Sequence, residues 1–364
     1  MEFLIKNALQ QVDNNQSETE ELKVGKANIK VIGCGGAGNN AVTWLFQKEI
    51  SGAEILAINT DAMHLNVSQA DRKILIGRNL TRGLGAGGFP QTGTEAARES
   101  LQELREALKG ADMVFVTAGM GGGTGTGAAP IVAKLASEMS AIVIGVVTMP
   151  FKMEKARIDK AEYGLKELRK SCDTVVVIDN NKLVEVAGNL PVQQAFAVAN
   201  EIISTMIKSI VEVIAVPSLV NLDFADVRAI MTTGGVAAMG VGEADSERRV
   251  EEATQRALQH PLLHVTYDGA TAALIHITGG PEMTLEEVNK VGEMVTSALD
   301  PEANVIFGAR VDKEMAGRVR VMTIITGVKS PYLLGKDAFE LGQRTRAVGG
   351  SVRINEELGL EMVY

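Results

Sequence analysis

Gly119-Met120-Gly121-Gly122-Gly123-Thr124-Gly125-Thr126-Gly127 follows the apolar run Met113 to Thr117 and precedes a helical pattern from Ala128 to Met139. A strand that ends in glycines and opens into a helix suits an anion. Glycines let backbone N–H groups approach a ligand closely, and the helix N-terminus adds positive potential. Thr124 and Thr126 supply hydroxyls that can donate to phosphate oxygens. The stretch has no Gly-Lys-Ser/Thr ending and is therefore not a P-loop. A phosphate here is left to backbone dipoles, helix termini and a metal cation.

Two more glycine loops precede it. Asn28 to Gly33 reads as a buried strand, followed by Gly33-Cys34-Gly35-Gly36-Ala37-Gly38-Asn39-Asn40 and a helix from about Ala41 to Gln47. This contains the dinucleotide fingerprint G-x-G-x-x-G, and the next strand, Glu54 to Asn59, ends in Thr60-Asp61, where a ribose-binding acid would sit. Taken alone, the pattern fits a nicotinamide or flavin enzyme, and it also fits a tight turn that holds no ligand. A third strand, Lys73 to Ile76, leads into Thr81-Arg82-Gly83-Leu84-Gly85-Ala86-Gly87-Gly88-Phe89-Pro90 and a helix from Glu95 to Lys109. Strands at Ala141 to Val147 and Thr174 to Ile178 flank a helix at Ala156 to Lys170. This alternation predicts a mostly parallel, doubly wound α/β sheet, whose ligands bind outside the carboxyl ends of its strands. Three glycine loops on one edge point to a long polyphosphate.

Pro191 opens the longest helical pattern, which ends before Pro217. Its wide apolar stripe predicts a buried spine ~36 Å long. From Asn221 the pattern becomes α+β: a helix at Asp223 to Met231, a glycine-rich strand near Gly234 to Gly242, and a charged helix at Ser246 to Leu258. Strands at Ala272 to Thr278, Asn304 to Ala309 and Val319 to Thr326 follow, with a helix at Leu285 to Ala298. The expected division is an N-terminal extension (1–27), a nucleotide domain (28–190), the central helix (191–216), an α+β domain (217–328) and a tail (329–364).

The bulk numbers narrow the function. The 364 residues suffice for two cores, and a net charge of −9 argues against nucleic acid as the main partner. No apolar run is long enough to span a bilayer, and the N-terminus lacks a secretory pattern. Two cysteines, Cys34 and Cys172, make no disulfide framework and fit a reducing cytoplasm. His260 and His264 have metal-ligand spacing, but Pro261 breaks the helix that would align them, so no side-chain metal site is expected.

Five motifs together resemble the tubulin and FtsZ superfamily, in its prokaryotic, archaeal-looking form. They are GCGGAGNN at Gly33, NTDA at Asn59, TRGLGAGG at Thr81, GGGTGTG at Gly121 and NLDFADV at Asn221. DGATAALIHITG at Asp268 and the ending RVMTIITG are similar to the family's second domain, so the resemblance runs from Asn28 to about Val328. It implies a GTP/GDP site with Mg²⁺ on the phosphates. Gly35, Gly36, Ala37, Gly38, Asn39 and Asn40 would hold the phosphates with Gly121, Gly122, Gly123, Thr124, Gly125, Thr126 and Gly127. Asn59, Asp61, Ala86 and Gly87 would lie near the γ-phosphate, and Glu154 with Arg157 near the ribose and phosphates. Asn180, Phe196, Asn200 and Glu201 would face the guanine. Three positions depart from the family: the step from Glu154 to Arg157 is one residue shorter, Glu201 replaces an Asp, and Phe89 replaces an Asn.

The resemblance makes Asn221, Asp223 and Asp226 catalytic. Read as residues alone, the i,i+3 carboxylates at a helix start either cap that helix or orient a water for attack on phosphorus. The spine separates them from the glycine loops, so catalysis requires the GTP of another subunit, in a head-to-tail contact that yields filaments. The expected function is an assembly-dependent GTPase of the cytoplasmic division ring at mid-cell. It would not insert in the membrane, and its terminal peptide Leu358 to Tyr364 would meet a membrane-tethering protein. The competing readings are a tubulin-like scaffold for cell shape or regulation with weak turnover, and a nicotinamide-dependent oxidoreductase that leaves GGGTGTG and NLDFADV unexplained. Nucleotide competition separates the last of these: GTP should displace bound guanine nucleotide, and NAD should not.

Overall fold

Ile29–Cys34 (β1) is buried along its whole length, as an apolar strand covered on both faces must be. The computed structural model describes residues 27–330 apart from positions 217, 221, 233–235, 260, 261, 264 and 268, and the backbone of 353–355 and 360–362. After β1 come α1 (Gly35–Gln47), β2 (Ala53–Asn59), α2 (Ala62–Val67), β3 (Arg72–Leu75), α3 (Arg78–Thr81), α4 (Pro90–Glu99) and α5 (Leu101–Leu108). Next are β4 (Met113–Gly119), α6 (Thr124–Glu138), β5 (Ile142–Met149), α7 (Ala156–Arg169), β6 (Thr174–Asp179) and α8 (Asn180–Ala187).

The six strands pair in the order β3-β2-β1-β4-β5-β6, every pair parallel. Alternation along each strand divides the core in two. Val31, Ile55, Phe115, Ile144 and Val176 face α1 and the central helix α9 (Val192–Ala215). Ile32, Leu56, Val116, Val143 and Val177 face α4, α5, α6 and α7. The expected spine is this 24-residue helix, with Ile203, Met206, Ile207 and Ile210 buried. Its core continues through Leu262, Ala272 and Met322 into the second half of the chain.

That half holds α10 (Phe224–Met231), β7 (Ala237–Ala244), α11 (Arg249–Leu258), β8 (Ala272–Gly279), α12 (Leu285–Thr296), β9 (Asn304–Val311) and β10 (Val319–Thr326). The sheet order is β7-β10-β8-β9, antiparallel except for β8 with β9. Glycines in β7 have a packing reason: a Cβ on Gly240 would stand 1.7 Å from Ala257 O, so α11 lies directly on the strand. A last pair, β11 (Arg353–Asn355) and β12 (Leu360–Met362), is antiparallel.

Three local readings change. The helix expected over Glu95 to Lys109 breaks at Ser100, whose hydroxyl accepts from Gly77 N at 3.1 Å. Helices α1 and α6 begin inside their glycine loops, at Gly35 and Thr124. Helix propensity disfavours that start, and tertiary packing overrides it: a Cβ on Gly127 would stand 2.0 Å from Pro90 O. Helix α8 escaped the sequence reading; Asp179 caps it by accepting from Asn181 N at 2.8 Å.

His276 on β8 is 5% exposed, with Ser218 Oγ 3.4 Å from its Nε2. Burial first, and then the Arg310 cation, push its pKa down to about 4. An unfolded chain takes up that proton below about pH 6.5, whereas the folded chain refuses it until about pH 4. Stability from this group is therefore complete above about pH 6.5 and lost as pH falls toward about 4, by on the order of 3 kcal/mol. Urea unfolding at about pH 7 and about pH 5 should show a smaller acid loss in His276→Gln than in wild type.

Candidate functional site

Strand order reverses between β1 and β4, the position where a doubly wound sheet opens a crevice beyond its strand ends. Two adjoining cavities of about 330 and about 360 Å³ lie there. Gly36, Ala37, Thr148, Asn180 and Phe196 line both. The first adds Gly122, Gly123, Thr124, Gly125, Phe151, Glu154 and Arg157. The second adds Asn40, His64, Thr117, Ala199, Asn200 and Ile203. Helices α1 and α6 both start at this crevice. Neither has a side-chain cap or an acidic residue in its first turn. Their leading N–H groups are thus left for a ligand, and the helix dipoles favour an anion.

The glycine loop is braced from inside. Gly121 has φ +93°, and a Cβ there would lie 2.8 Å from Arg157 O. Its N–H donates to Thr126 Oγ1 at 2.9 Å, and Thr60 Oγ1 lies 2.6 Å from Thr124 Oγ1. The two threonine oxygens expected to serve phosphate are therefore also internal struts. Ala86 and Gly87 line neither cavity; Ala86 is buried, where a Cβ on Gly123 would meet its Cβ at 2.8 Å. Phe89 lies under the Lys160 ammonium, 5.4 Å from its ring centre, and Lys160 Nζ donates to Gly88 O at 2.8 Å.

Several expected contacts stand behind the wall instead of in it. Asn39 is fully buried, with its amide nitrogen in reach of Gly33 O at 2.8 Å and its oxygen accepting from Asn59 Nδ2 at 3.1 Å. Asn59 Oδ1 accepts from Thr60 N and Asp61 N. Asp61 caps α2, taking Met63 N at 2.9 Å and His64 N at 3.1 Å. Gly35, Gly38, Gly121, Thr126 and Gly127 likewise shape the loops without lining either cavity.

Glu201, expected to face the guanine, lines neither cavity. On α9, positions 196, 199, 200 and 203 share the cavity face, and residue 201 is turned about 100° from residue 200. Its carboxylate accepts from Lys48 Nζ at 2.6 Å, in the cleft between α9 and the second sheet. Glu154 and Arg157 do meet at the cavity despite their short step, with Arg157 Nη1 donating to Glu154 Oε2 at 2.8 Å. Lys155 between them has φ +31°. Phe196 meets Phe151 edge to face, centroids 6.1 Å apart. Cys34 packs beneath as an apolar filler, its thiol pushed up to about 12 by burial. The sequence reading missed His64, Thr148 and Phe151; Phe151 was marked only by its place just after a strand.

Asp223 and Asp226 occupy the other edge of the sheet. Asp226 N donates to Asp223 Oδ1 at 2.8 Å and Asp223 N to Asp226 Oδ2 at 3.0 Å, a reciprocal cap. Their helix α10 is tied to the starts of β5 and β6: Thr174 Oγ1 donates to Met231 O, and Arg228 Nη2 to Ser140 O. Asn221, His260 and His264 lie outside the described residues. Among the described residues no three His, Cys, Asp or Glu form a metal-holding group, and no helix is long and apolar enough to cross a membrane.

A family described as "Tubulin/FtsZ family, GTPase domain" matches residues 28–188, and "FtsZ family, C-terminal domain" matches 235–329. The chain is 58% identical over 337 residues to cell division protein FtsZ 2 of Methanocaldococcus jannaschii, covering 92% of this chain and 88% of that one. It is 53% identical over 331 residues to cell division protein FtsZ 1 of Thermococcus kodakarensis, covering 91% and 88%. An FtsZ dimer structure from M. jannaschii superposes with a TM-score of 0.78 at 49% identity, covering 88% of this chain and 92% of that one. With the crevice, both sheets and the full span of motifs in agreement, the chain belongs to the Tubulin/FtsZ family and is a GTPase of its FtsZ branch.

Proposed function

We propose that GTP lies along the two cavities, its phosphates against the uncapped starts of α1 and α6 and its guanine against Phe196, Asn180 and Asn200. The observation that carries this reading is the pair of bare helix N-termini beside Phe196, joined by one continuous wall of Gly36, Ala37 and Thr148. Glu154 and Arg157 hold the rim over the ribose and phosphates. Glu154 is the carboxylate on the phosphate side, and it already accepts from Arg157 and from Phe151 N at 2.9 Å. Mg²⁺ would therefore be held mainly by phosphate oxygens and water, screening the polyphosphate charge.

Asn221, Asp223 and Asp226 act on the GTP of a second copy. Ala215 lies ~18 Å along the helix axis beyond Ile203, at ~1.5 Å per residue. The α10 tethers then hold the carboxylates at the edge opposite the glycine loops. Within the reciprocal cap Asp223 Oδ2 and Asp226 Oδ1 make no bond among the described residues, so each can face a water. Such a water would be oriented for in-line attack on the γ-phosphate. Both ends expose apolar side chains: Met63 and Leu84 near the glycine loops, Leu219 and Phe307 near α10. A heterologous contact between unlike ends repeats into a filament.

This is the assembly of a cytoplasmic division ring, with hydrolysis loosening each contact. The tail meets a membrane-tethering protein through Leu358 to Tyr364, of which only the Leu360–Met362 backbone lies within the described residues. We divide the chain as 28–190, 191–216 and 217–328, flanked by 1–27 and 329–364.

GTP turnover per subunit should rise above a threshold protein concentration. Asp226→Asn, which keeps the capping acceptor and removes the charge, should lose at least about tenfold in turnover while GTP binding and thermal stability hold. Turnover independent of concentration would show a self-contained site. Deleting Leu358 to Tyr364 should leave sedimentable filaments intact and abolish recruitment to membranes in cells.

A further inference from the structure

One side chain in the cavity has no role above. His64 lines the lobe with Phe196 and Asn200, and its Nε2 is the nearest atom to where a Cβ on Gly36 would stand, at 3.8 Å. Its position is pinned. Asp61 Oδ1 accepts from His64 N at 3.1 Å, and Ser68 donates to His64 O through Oγ at 2.8 Å and through N at 3.2 Å.

Its Nδ1 is buried with no hydrogen-bond partner among the described residues. A neutral imidazole carries one donor and one acceptor nitrogen. An orphaned buried N–H is rarer in folded proteins than an under-used acceptor. The hydrogen is therefore assigned to Nε2, on the Gly36 side, by this hydrogen-bond argument. Gly36 lines both cavities, so an acceptor beside it belongs to the middle of a nucleotide that spans them.

We propose that His64 is a nucleotide contact, donating from Nε2 to a ribose hydroxyl or an α-phosphate oxygen. The inference rests on the assignment of these cavities to GTP. Calorimetric titration of wild type, His64→Phe and His64→Gln with GTP, GDP and 2′-deoxy-GTP tests both. His64→Phe keeps a ring and removes the donor; it should weaken GTP and GDP alike by about three- to thirty-fold. His64→Gln restores an N–H donor and should recover most of that loss. If the loss vanishes with 2′-deoxy-GTP the acceptor is the 2′-hydroxyl; if it persists, the acceptor is the 3′-hydroxyl or the phosphate.

Wild-type affinity in His64→Phe overturns the contact, equal losses in both variants overturn the donor, and a loss confined to GTP overturns the mid-nucleotide position. If His64→Phe shows no cooperative melt, His64→Ala takes its place under the same criteria. Wild type that binds neither GTP nor GDP would instead bring down the cavity assignment, and this inference with it.

Discussion

Everything at the crevice depends on backbone meeting backbone without side chains between. Helices α1 and α6 start next to each other because Gly35 can stand 2.8 Å, measured from an imagined Cβ, from Gly125 N. Gly38 does the same against Thr117 O at 2.4 Å. A Cβ on Gly35 would push the two helix starts apart and separate their dipoles, and one on Gly38 would lift α1 off β4. With them together, two sets of leading N–H groups open on one crevice, where the proposed phosphates would lie. The missing caps belong to the same design, since a capping Asp or Ser would occupy the place the ligand needs.

The other edge of the molecule follows the opposite rule. Helix α10 is capped twice over by Asp223 and Asp226. A capping box fixes two carboxylates in known orientation and leaves one oxygen on each without a bond among the described residues. Capping and catalysis, alternatives when the residues are read in sequence, are thus compatible in space. The structural use holds the groups still, and stillness is what water positioning requires. One end of the chain offers bare N–H groups and the other offers fixed carboxylates, separated by α9 and the sheet. In the proposed assembly each end supplies what the other lacks.

Much of this was legible in sequence because it follows from periodicity and glycine placement. Apolar runs four to eight residues long gave the strands, and the proline-bounded apolar stripe gave α9. Apart from α8, whose Asp179 cap is local, what escaped depended on contacts distant in sequence. Helix starts at Gly35 and Thr124 contradict propensity and are imposed by packing against Gly125 and Pro90. The break at Ser100 serves Gly77, a residue in another loop. The site residues divide the same way. Gly36, Asn40 and Gly122, where the motifs face outward, line the cavities. Asn39, Asn59 and Asp61 share those motifs and turn inward to brace them. A motif records which residues a loop needs, without distinguishing those that touch the ligand from those that hold the loop. Glu201 lies outside the cavities for a simpler reason: one residue along a helix is a different face, where Lys48 pairs with it.

The balance of charge explains why bracing matters so much here. A protein with net charge −9 repels a polyphosphate at long range, and no P-loop lysine compensates. Beside the Arg157 cation and the Mg²⁺ proposed for the phosphates, attraction rests on N–H dipoles, which act within the last few ångströms. Dipoles at contact are effective only if they already point at the ligand, because turning them on arrival would cost what they return. A loose glycine loop would be free to point anywhere. The struts from Thr60, Thr126, Arg157 and Ala86 remove that freedom. In the proposed complex, the buried asparagines and threonines behind the wall would be as much a part of phosphate affinity as the glycines that face it.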